Sequence, residues 1–332
     1  MEFAFSEEQQ ELASTVRALL TKRADSAAVR KSIESEAGYD EALWQTLCEQ
    51  IGAAALSIPE EYDGAGFSLF ESLIVLEEVG RSLAPSPLLS SLVTAEALLA
   101  GADEDARRRL LPRIAAGEPA AFVSGTGPVL DGDRATVLVA ATDDGLVEVD
   151  PTSATRAWAE SMDQTIRLAH VDLRHATTVP IGDAAPAVAR TDLVGAAAVT
   201  ALQAGLAARA LEMTVGYSKE RVQFGRPIGS FQALKHRMAD MLVLVEMSRS
   251  ASWAASYAVS RSTDNAAELT HVAKAYCGDA LMKIAGETVQ LHGGIAITWE
   301  HDAHLVFKRA HALGQLYGSS RLHRTQIGLP SR

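Results

Sequence analysis

The segment Arg221-Val222-Gln223-Phe224-Gly225-Arg226-Pro227-Ile228-Gly229-Ser230-Phe231-Gln232 separates two long apolar stretches. The stretch before it, residues 191–218, is apolar on nearly every helical face, which is typical of a helix packed inside a bundle. After it, the pattern predicts three more helices, at Phe231 to about Val259, Ala266–Leu291 and His304–Tyr317. Residues 186–332 are therefore predicted to form a C-terminal four-helix bundle.

Two more domains are predicted before the bundle. In residues 1–118, Ser6 and Gln9 form a capping-box pattern, and apolar residues then recur at helical spacing. In residues 119–185, short β-type runs alternate with turn signals such as Asp143-Asp144-Gly145, which predicts hairpins, and a last strand is expected at Ile166–Leu173. The predicted fold class is mainly α, with a small β domain between two helical domains.

Composition narrows the class of protein. The 332 residues are 48% hydrophobic and 22% charged, with a net charge of -12. This acidic balance argues against nucleic-acid binding, which depends on clustered Lys and Arg. Cys48 and Cys277 lie far apart in helical stretches, so neither a disulfide framework nor a zinc site is expected. With no signal-peptide pattern and no uninterrupted apolar run near the ~20 residues of a membrane span, a soluble cytoplasmic protein is expected.

Several short motifs, in order along the chain, resemble landmarks of the acyl-CoA dehydrogenase family. They are Ser6-Glu7-Glu8-Gln9, Ile58 to Gly66, Leu76 to Arg81, Tyr217 to Gln232, Met238 to Met241, and Gln290-Leu291-His292-Gly293-Gly294. Each motif is weak by itself, but their order and spacing make coincidence improbable. The helix, β, helix order is also the three-part plan of that family.

The resemblance implies a binding role for two of these motifs. In the family, the Arg-x-Gln-Phe-Gly segment and the Gln-x-x-Gly-Gly turn reach across a subunit interface and hold the ADP half of FAD. A guanidinium suits a pyrophosphate, and paired glycines let backbone N–H groups approach its oxygens. The implied FAD contacts are Arg221, Gln223, Phe224, Gln232, Gln290, Gly293 and Gly294. A structural interpretation stays open, in which Gly225 to Gly229 is a tight interhelical loop and Gly293-Gly294 ends a helix.

The catalytic base of the family has no counterpart at its two usual places. Desaturation of a CoA thioester needs a carboxylate to take the α-proton. The family's Tyr-Glu-Gly-Thr segment corresponds here to Leu316 to Ser319, so Tyr317 stands at the position of the base. The second family position, twenty-six residues before Arg221, is Gly195. Asp192, one turn earlier, is either a substitute base or a helix cap.

The β domain lacks the segments that hold the flavin ring in the family. Neither the Thr-Glu-Pro-x-Ala-Gly-Ser-Asp loop nor the following aromatic-Ile-Thr strand can be placed in the short region around Val123 to Asp131. Segments that would serve a flavin within one subunit are thus missing. Those that would reach into a neighbour's flavin remain.

This pattern implies a non-catalytic subunit of a heteromeric acyl-CoA dehydrogenase. The implied partner is a full-length homologue carrying the Glu base and the flavin-ring site, in an α2β2 heterotetramer with FAD at the interfaces. The resemblance extends to split dehydrogenases of actinobacterial steroid degradation, so the expected substrate is a steroid acyl-CoA and the acceptor an electron-transfer flavoprotein or similar protein. Two alternatives stay open: a self-sufficient homotetramer with a displaced base, and a flavin-free acyl-CoA-binding or scaffold subunit.

The histidines show no metal-ligand framework in the sequence. His301 and His304 could share a helix face, but a third ligand is missing. His292, inside the Gln-x-x-Gly-Gly motif, is expected either to touch the nucleotide or to make a structural hydrogen bond.

Overall fold

A computed structural model describes residues 4–328 of the chain, which form two compact units. One unit takes in the chain up to Leu76 together with Ala84–Gly195, and the other takes in Glu77–Leu83 and the chain from Ala196 onward. The first unit contains most of the N-terminal helices and the main β-sheets. The second contains the long C-terminal helices.

The N-terminal region is helical, as predicted. Its helices are α1 (Glu7–Arg23), α2 (Ser26–Glu34), α3 (Glu41–Thr46), α4 (Leu69–Ser82), α5 (Leu88–Gly101) and α6 (Glu104–Ala115). The capping box is confirmed, because the Ser6 hydroxyl accepts from Gln9 N at 3.2 Å and the Gln9 side chain accepts from Ser6 N at 3.0 Å. Helix α2 was not predicted, and the helical spacing expected at Leu43, Leu47 and Ile51 continues from α3 into a π-helical turn, Leu47–Ile51.

The β region consists of two small sheets. The strands are β1 (Ala120–Val123), β2 (Val129–Leu130), β3 (Val137–Thr142), β4 (Gly145–Val149), β5 (Thr155–Ala159), β6 (Leu168–Asp172) and β7 (Thr178–Gly182). One sheet has the order β1-β3-β4-β7 and the other β2-β6-β5. Buried residues of β3 and β4, including Val139 and Leu146, pack with Leu98 of α5 and Leu111 of α6 in one hydrophobic core.

The strand predictions hold only in part. Strands β3 and β4 form the expected antiparallel hairpin, closing at Thr142 and Gly145. The hairpin interpretation is wrong for β1, which pairs with β3 in parallel. Strands β5 and β7 were not predicted, and the strand expected at Ile166–Leu173 is the shorter β6.

The C-terminal region contains the predicted bundle helices. They are α7 (Ala184–Glu220), α8 (Gln232–Ser260), α9 (Ala266–His292) and α10 (Ala303–Gln315), followed by the unpredicted short helix α11 (Ser320–Gln326). Buried hydrogen bonds tie the second unit's part of α7 to its neighbours: Thr200 Oγ1 to Ser252 Oγ of α8 at 3.0 Å, and Gln203 Nε2 to Leu313 O of α10 at 3.0 Å. Helix α9 packs against α8, α10 and α11.

Helix α7 begins earlier than the apolar pattern suggested. Asp183 accepts a hydrogen bond from Ala185 N at 2.9 Å at its start, so the interpretation of Asp192 as a helix cap is wrong. Alone among the described helices, α7 is long and apolar enough to cross a membrane, and 89% of its most apolar window is buried inside the protein. Such burial is typical of the core helix of a globular protein.

The predicted fold class is confirmed: the chain is mainly helical, with a small β region between an N-terminal helical region and the C-terminal helices. The domain limits 1–118, 119–185 and 186–332 stay predictions.

Candidate functional site

The glycine-rich segment after α7 forms a two-stranded hairpin in the second unit. Strands β8 (Val222–Gln223) and β9 (Arg226–Pro227) pair in antiparallel fashion around Phe224 and Gly225. Both turn residues have positive φ, 55° and 79°, which is the geometry of a type I′ turn. Left-handed backbone is unfavourable for a bulky residue such as Phe224, yet its side chain is 91% exposed. Strain combined with exposure marks the hairpin as a candidate contact site.

Arg221 is fixed at its backbone and open at its side chain. Its N–H donates to Tyr217 O at 2.9 Å, and its carbonyl accepts from Ile228 N at 2.8 Å. Its side chain is exposed and forms no ion pair within residues 4–328. By contrast, the Arg226 side chain already makes a cation–π contact, because its guanidinium lies 4.0 Å from the centre of the Phe231 ring. Arg221 therefore presents an uncompensated charge on a rigid support.

The remaining polar candidates on this side lie close by in the chain. Gln223 is exposed, and its amide donates to Val222 O at 2.9 Å. Gln232, also exposed, is the first residue of α8. Both amides can turn toward a ligand at little cost, because neither is packed in the core.

The second motif stands at the end of α9. Gly293 has φ 66° and donates its N–H to Val289 O, so the helix-ending role considered from the sequence is real. A Cβ added at Gly293 or Gly294 would meet nothing within 4 Å, which leaves this backbone open to a ligand. Gln290, one turn before, is exposed. Gly293 can therefore end the helix and still leave its backbone accessible. An accessible glycine backbone at this place suits an approaching phosphate.

Contacts among the helices bring the two motifs together. Tyr217, four residues before Arg221, stacks on His292 with ring centres 4.5 Å apart and planes 27° apart. About one turn further into the helices, Arg237 Nε of α8 donates to Glu287 Oε2 of α9 at 2.5 Å. The end of α7, the start of α8 and the end of α9 therefore meet, and they carry all seven candidate residues. Apart from an aromatic residue near the end of each helix, no sequence signal indicates the Tyr217–His292 contact.

The two positions predicted to correspond to the family base are Gly195 and Tyr317, and neither side chain is a carboxylate. Gly195 is buried within α7. Tyr317 follows α10 with φ 52°, and its carbonyl accepts from His323 Nε2 at 2.8 Å. The next carbonyl, of Gly318, accepts from the fully buried Lys274 Nζ at 2.8 Å. Burial lowers the pKa of Lys274 to about 8. Side chains of α9 and α11 thus hold the turn at Tyr317 through hydrogen bonds to its backbone carbonyls.

Asp192 differs from a typical surface carboxylate. It lies inside α7 in the first unit. Although the residue as a whole is exposed, neighbouring atoms remove part of the water around its carboxyl group, and this desolvation raises its pKa. A raised pKa suits a general base, but geometry relative to a substrate decides that role.

Among residues 4–328, no group of three or more His, Cys, Asp or Glu side chains could hold a metal ion. His301 lies before the start of α10 and His304 within it, and His301 packs beside the ring of His292 at 4.4 Å.

Comparisons with known proteins define the class. Residues 6–118 match the family described as acyl-CoA dehydrogenase, N-terminal domain, and residues 187–329 match acyl-CoA dehydrogenase, C-terminal domain. The chain belongs to the acyl-CoA dehydrogenase family, a family of FAD-dependent oxidoreductases, and the family predicted from the motifs is confirmed.

Individual relatives extend over nearly the whole chain. Acyl-CoA dehydrogenase IpdE2 of Mycobacterium tuberculosis is 48% identical over 319 residues, covering 95% of this chain and 94% of its own. The structure of the ChsE4-ChsE5 complex from Mycobacterium tuberculosis is similar with a TM-score of 0.88 and 25% identity, covering 99% of this chain and 98% of that one. A variant of the Tcur3481-Tcur3483 steroid ACAD is similar with a TM-score of 0.86 and 28% identity, covering 97% of each chain.

Proposed function

We propose that the chain is the non-catalytic, cofactor-sharing subunit of a heteromeric acyl-CoA dehydrogenase. In this proposal it joins a full-length homologue in an α2β2 heterotetramer and contacts the ADP half of an FAD held at the interface. The contacting residues would be Arg221, Gln223, Phe224, Gln232, Gln290, Gly293 and Gly294. The partner would supply the Glu base and the flavin-ring site.

One observation carries the proposal: the candidate FAD contacts face outward, while the base positions carry no carboxylate. Arg221 is exposed and free of ion pairs within residues 4–328, and the backbone at Gly293 and Gly294 is open. These features fit a pyrophosphate, which a guanidinium grips with two parallel hydrogen bonds and which backbone N–H groups can approach closely. A bound FAD would supply the hydride acceptor for the reaction.

This chain's own residues cannot easily take the α-proton. Gly195 has no side chain. Tyr317 places a phenol where the family has a carboxylate, and a phenol is a donor of hydrogen bonds and a poor base for this step. The proton-abstracting carboxylate is therefore assigned to the partner chain.

The substrate we propose is a CoA thioester on a steroid side chain or ring fragment, desaturated between its α and β carbons. Similarity to a steroid ACAD and to the ChsE4-ChsE5 complex supports both the substrate class and the two-chain assembly. Electrons would pass to an electron-transfer flavoprotein or a similar acceptor, and the cytoplasm is the proposed location.

Purification separates this proposal from its alternatives. The chain is produced alone and together with a co-expressed full-length homologue, and flavin absorbance and dye-linked acyl-CoA oxidation are recorded for each. We expect flavin and activity only in the two-chain complex. Bound flavin and turnover in the lone chain would support the homotetramer, in which Asp192→Asn should then abolish activity. A flavin-free complex would support a scaffold.

Replacing Arg221 tests the interface directly. We expect Arg221→Ala to weaken FAD binding to the complex roughly 10- to 100-fold, because charged hydrogen bonds of this kind contribute about 1.5–3 kcal/mol. Equilibrium titration with FAD, followed by flavin fluorescence, measures the loss. Arg209→Ala removes an exposed arginine from the same helix and should have no effect. Unchanged affinity in Arg221→Ala would refute the assignment.

A further inference from the structure

His292 lies at the contact between the two candidate FAD motifs. It is the last residue of α9 and is 3% exposed. Its ring stacks on Tyr217 at 4.5 Å on one side and lies 4.4 Å from the ring of His301. The Tyr217 and His301 rings also lie 6.0 Å from each other, so the three rings form one cluster at the point where the chain enters the Gly293 turn.

The hydrogen bonding of His292 fixes its tautomer. Nδ1 lies 2.7 Å from Thr288 O, and since a carbonyl can only accept, Nδ1 carries the proton. Nε2 is then an acceptor, and it has no hydrogen-bond partner within the described part of the chain. Burial lowers the pKa of His292, the hydrogen bond to Thr288 opposes this, and the neighbouring His301 lowers the pKa further. The ring is thus a neutral, flat surface with its orientation set by one hydrogen bond.

The burial of His292 argues against a direct nucleotide contact. A side chain this enclosed acts on a ligand through the groups it supports. Two such groups are adjacent: the carbonyl of Tyr217 accepts from Arg221 N at 2.9 Å, and Gly293 directly follows His292 in the chain. A shift of either ring would displace the hairpin or the glycine turn.

We propose that His292 is a positioning residue, whose stack on Tyr217 holds the Arg221 hairpin at a fixed spacing from the Gly293-Gly294 turn. The proposal rests on the proposed function, because the ligand gripped by both segments is FAD. Two segments at a fixed spacing lose less conformational entropy when they close on one ligand than two independent segments do.

Two substitutions separate the stack from simple filling of space. His292→Phe keeps a flat ring, whereas His292→Leu keeps an apolar side chain without one. Stacked aromatic pairs add up to about 1.5 kcal/mol beyond burial, so we expect His292→Leu to weaken FAD binding to the complex about tenfold and His292→Phe to stay within about threefold of the wild type.

A double-mutant cycle tests the partner of the stack. Tyr217→Leu should cause a loss similar to that of His292→Leu, and the double variant should lose little more than either single one. His311→Leu serves as the matched control. It removes a comparable aromatic pair on α10, in which the His311 and Phe307 ring centres are 4.7 Å apart. It should leave FAD affinity unchanged.

A second readout does not depend on flavin. Hydrogen exchange is measured on the flavin-free full-length chain at residues 221–231, where the hydrogen bond from Ile228 N to Arg221 O reports on the hairpin. We expect exchange there to accelerate about tenfold in His292→Leu and to change little in His292→Phe.

The outcomes distinguish this inference from the proposed function. Unchanged exchange in His292→Leu, or equal losses of FAD affinity in His292→Phe and His292→Leu, would overturn the positioning role. Faster exchange with unaltered FAD affinity would overturn it as well. If Arg221→Ala also binds FAD normally, the proposed function has failed on separate grounds.

Discussion

Asp131 is a buried carboxylate on the turn after β2, in the first unit. The Ser90 hydroxyl lies 2.7 Å from its Oδ2 and 3.0 Å from Pro87 O. The hydroxyl donates to Asp131 Oδ2 and shares its proton with Pro87 O, so it compensates the buried carboxylate only in part. Burial raises the pKa of Asp131 to about 7, although the Ser90 hydrogen bond opposes the shift, and the charge of Asp133 adds to it.

The raised pKa makes stability depend on pH. Between about pH 4 and 7 the folded state holds a proton that the unfolded state has released, so the free energy of unfolding falls as pH rises through this window. We expect Asp131→Asn, which keeps the shape and removes the ionisation, to raise the free energy of unfolding at pH 8. The upper bound is on the order of 4 kcal/mol.

Urea unfolding at pH 8 and pH 5 measures this effect. The gain from Asp131→Asn should shrink at pH 5, where the native carboxyl is protonated. Asp144→Asn, in an exposed turn, is the control and should be neutral at both values. Equal stability of wild type and Asp131→Asn at pH 8 would contradict the prediction.

At the scale of elements, α4 and α7 cross closely within the second unit. A Cβ on Gly205 would lie 1.9 Å from Glu77 O, and one on Gly80 would lie 2.4 Å from Leu202 O. These distances are shorter than van der Waals contact, and the backbone of a packed helix cannot move aside as a flexible side chain could. These two glycines are therefore required by the crossing.

Alanine substitutions along α7 should have opposite effects. We expect Gly205→Ala to destabilise the protein by about 3 kcal/mol or more through overpacking, despite the better helix propensity of Ala. Gly216→Ala, where nothing lies within 4 Å of the added Cβ, should instead stabilise by up to about 1 kcal/mol. Thermal unfolding of both variants checks this. A neutral Gly205→Ala would show that the crossing is looser than described.

The sequence predicts helices better than strands here, for physical reasons. Local signals start α1, because the capping box needs only Ser6 and Gln9. Strand β5 escapes prediction because its residues are mostly exposed and do not alternate, and β7 because Pro180 interrupts its pattern. The parallel pairing of β1 with β3 depends on long-range packing that no local pattern contains.

In the candidate site, too, local motifs could be predicted and long-range contacts could not. Its seven residues could be proposed from sequence because they lie in two compact motifs. The Tyr217–His292 stack could not, since it exists only when α9 returns to the end of α7. The interpretation of Asp192 as a cap failed because the helix start depends on Asp183, outside the apolar stretch.

For the whole molecule, the proposal predicts a particular flavin content. A heterotetramer with FAD shared at its hetero-interfaces should carry two FAD per four chains, because only the partner provides flavin-ring sites. Native mass spectrometry of the co-expressed complex, together with flavin absorbance, gives this ratio. Four FAD per tetramer would contradict the division of roles, and the chain purified alone serves as the comparison.

The turn at Phe224 and Gly225 has a consequence for related chains. Asn followed by Gly suits a type I′ turn far better than Phe followed by Gly, so folding of the isolated chain disfavours phenylalanine at this place. In the proposed assembly, contact with the FAD at the interface would compensate for this cost. In a descendant that lost its partner, drift toward Asn at position 224 is expected. Exchange of Phe224 for Asn should therefore stabilise the isolated chain while it weakens the proposed contact.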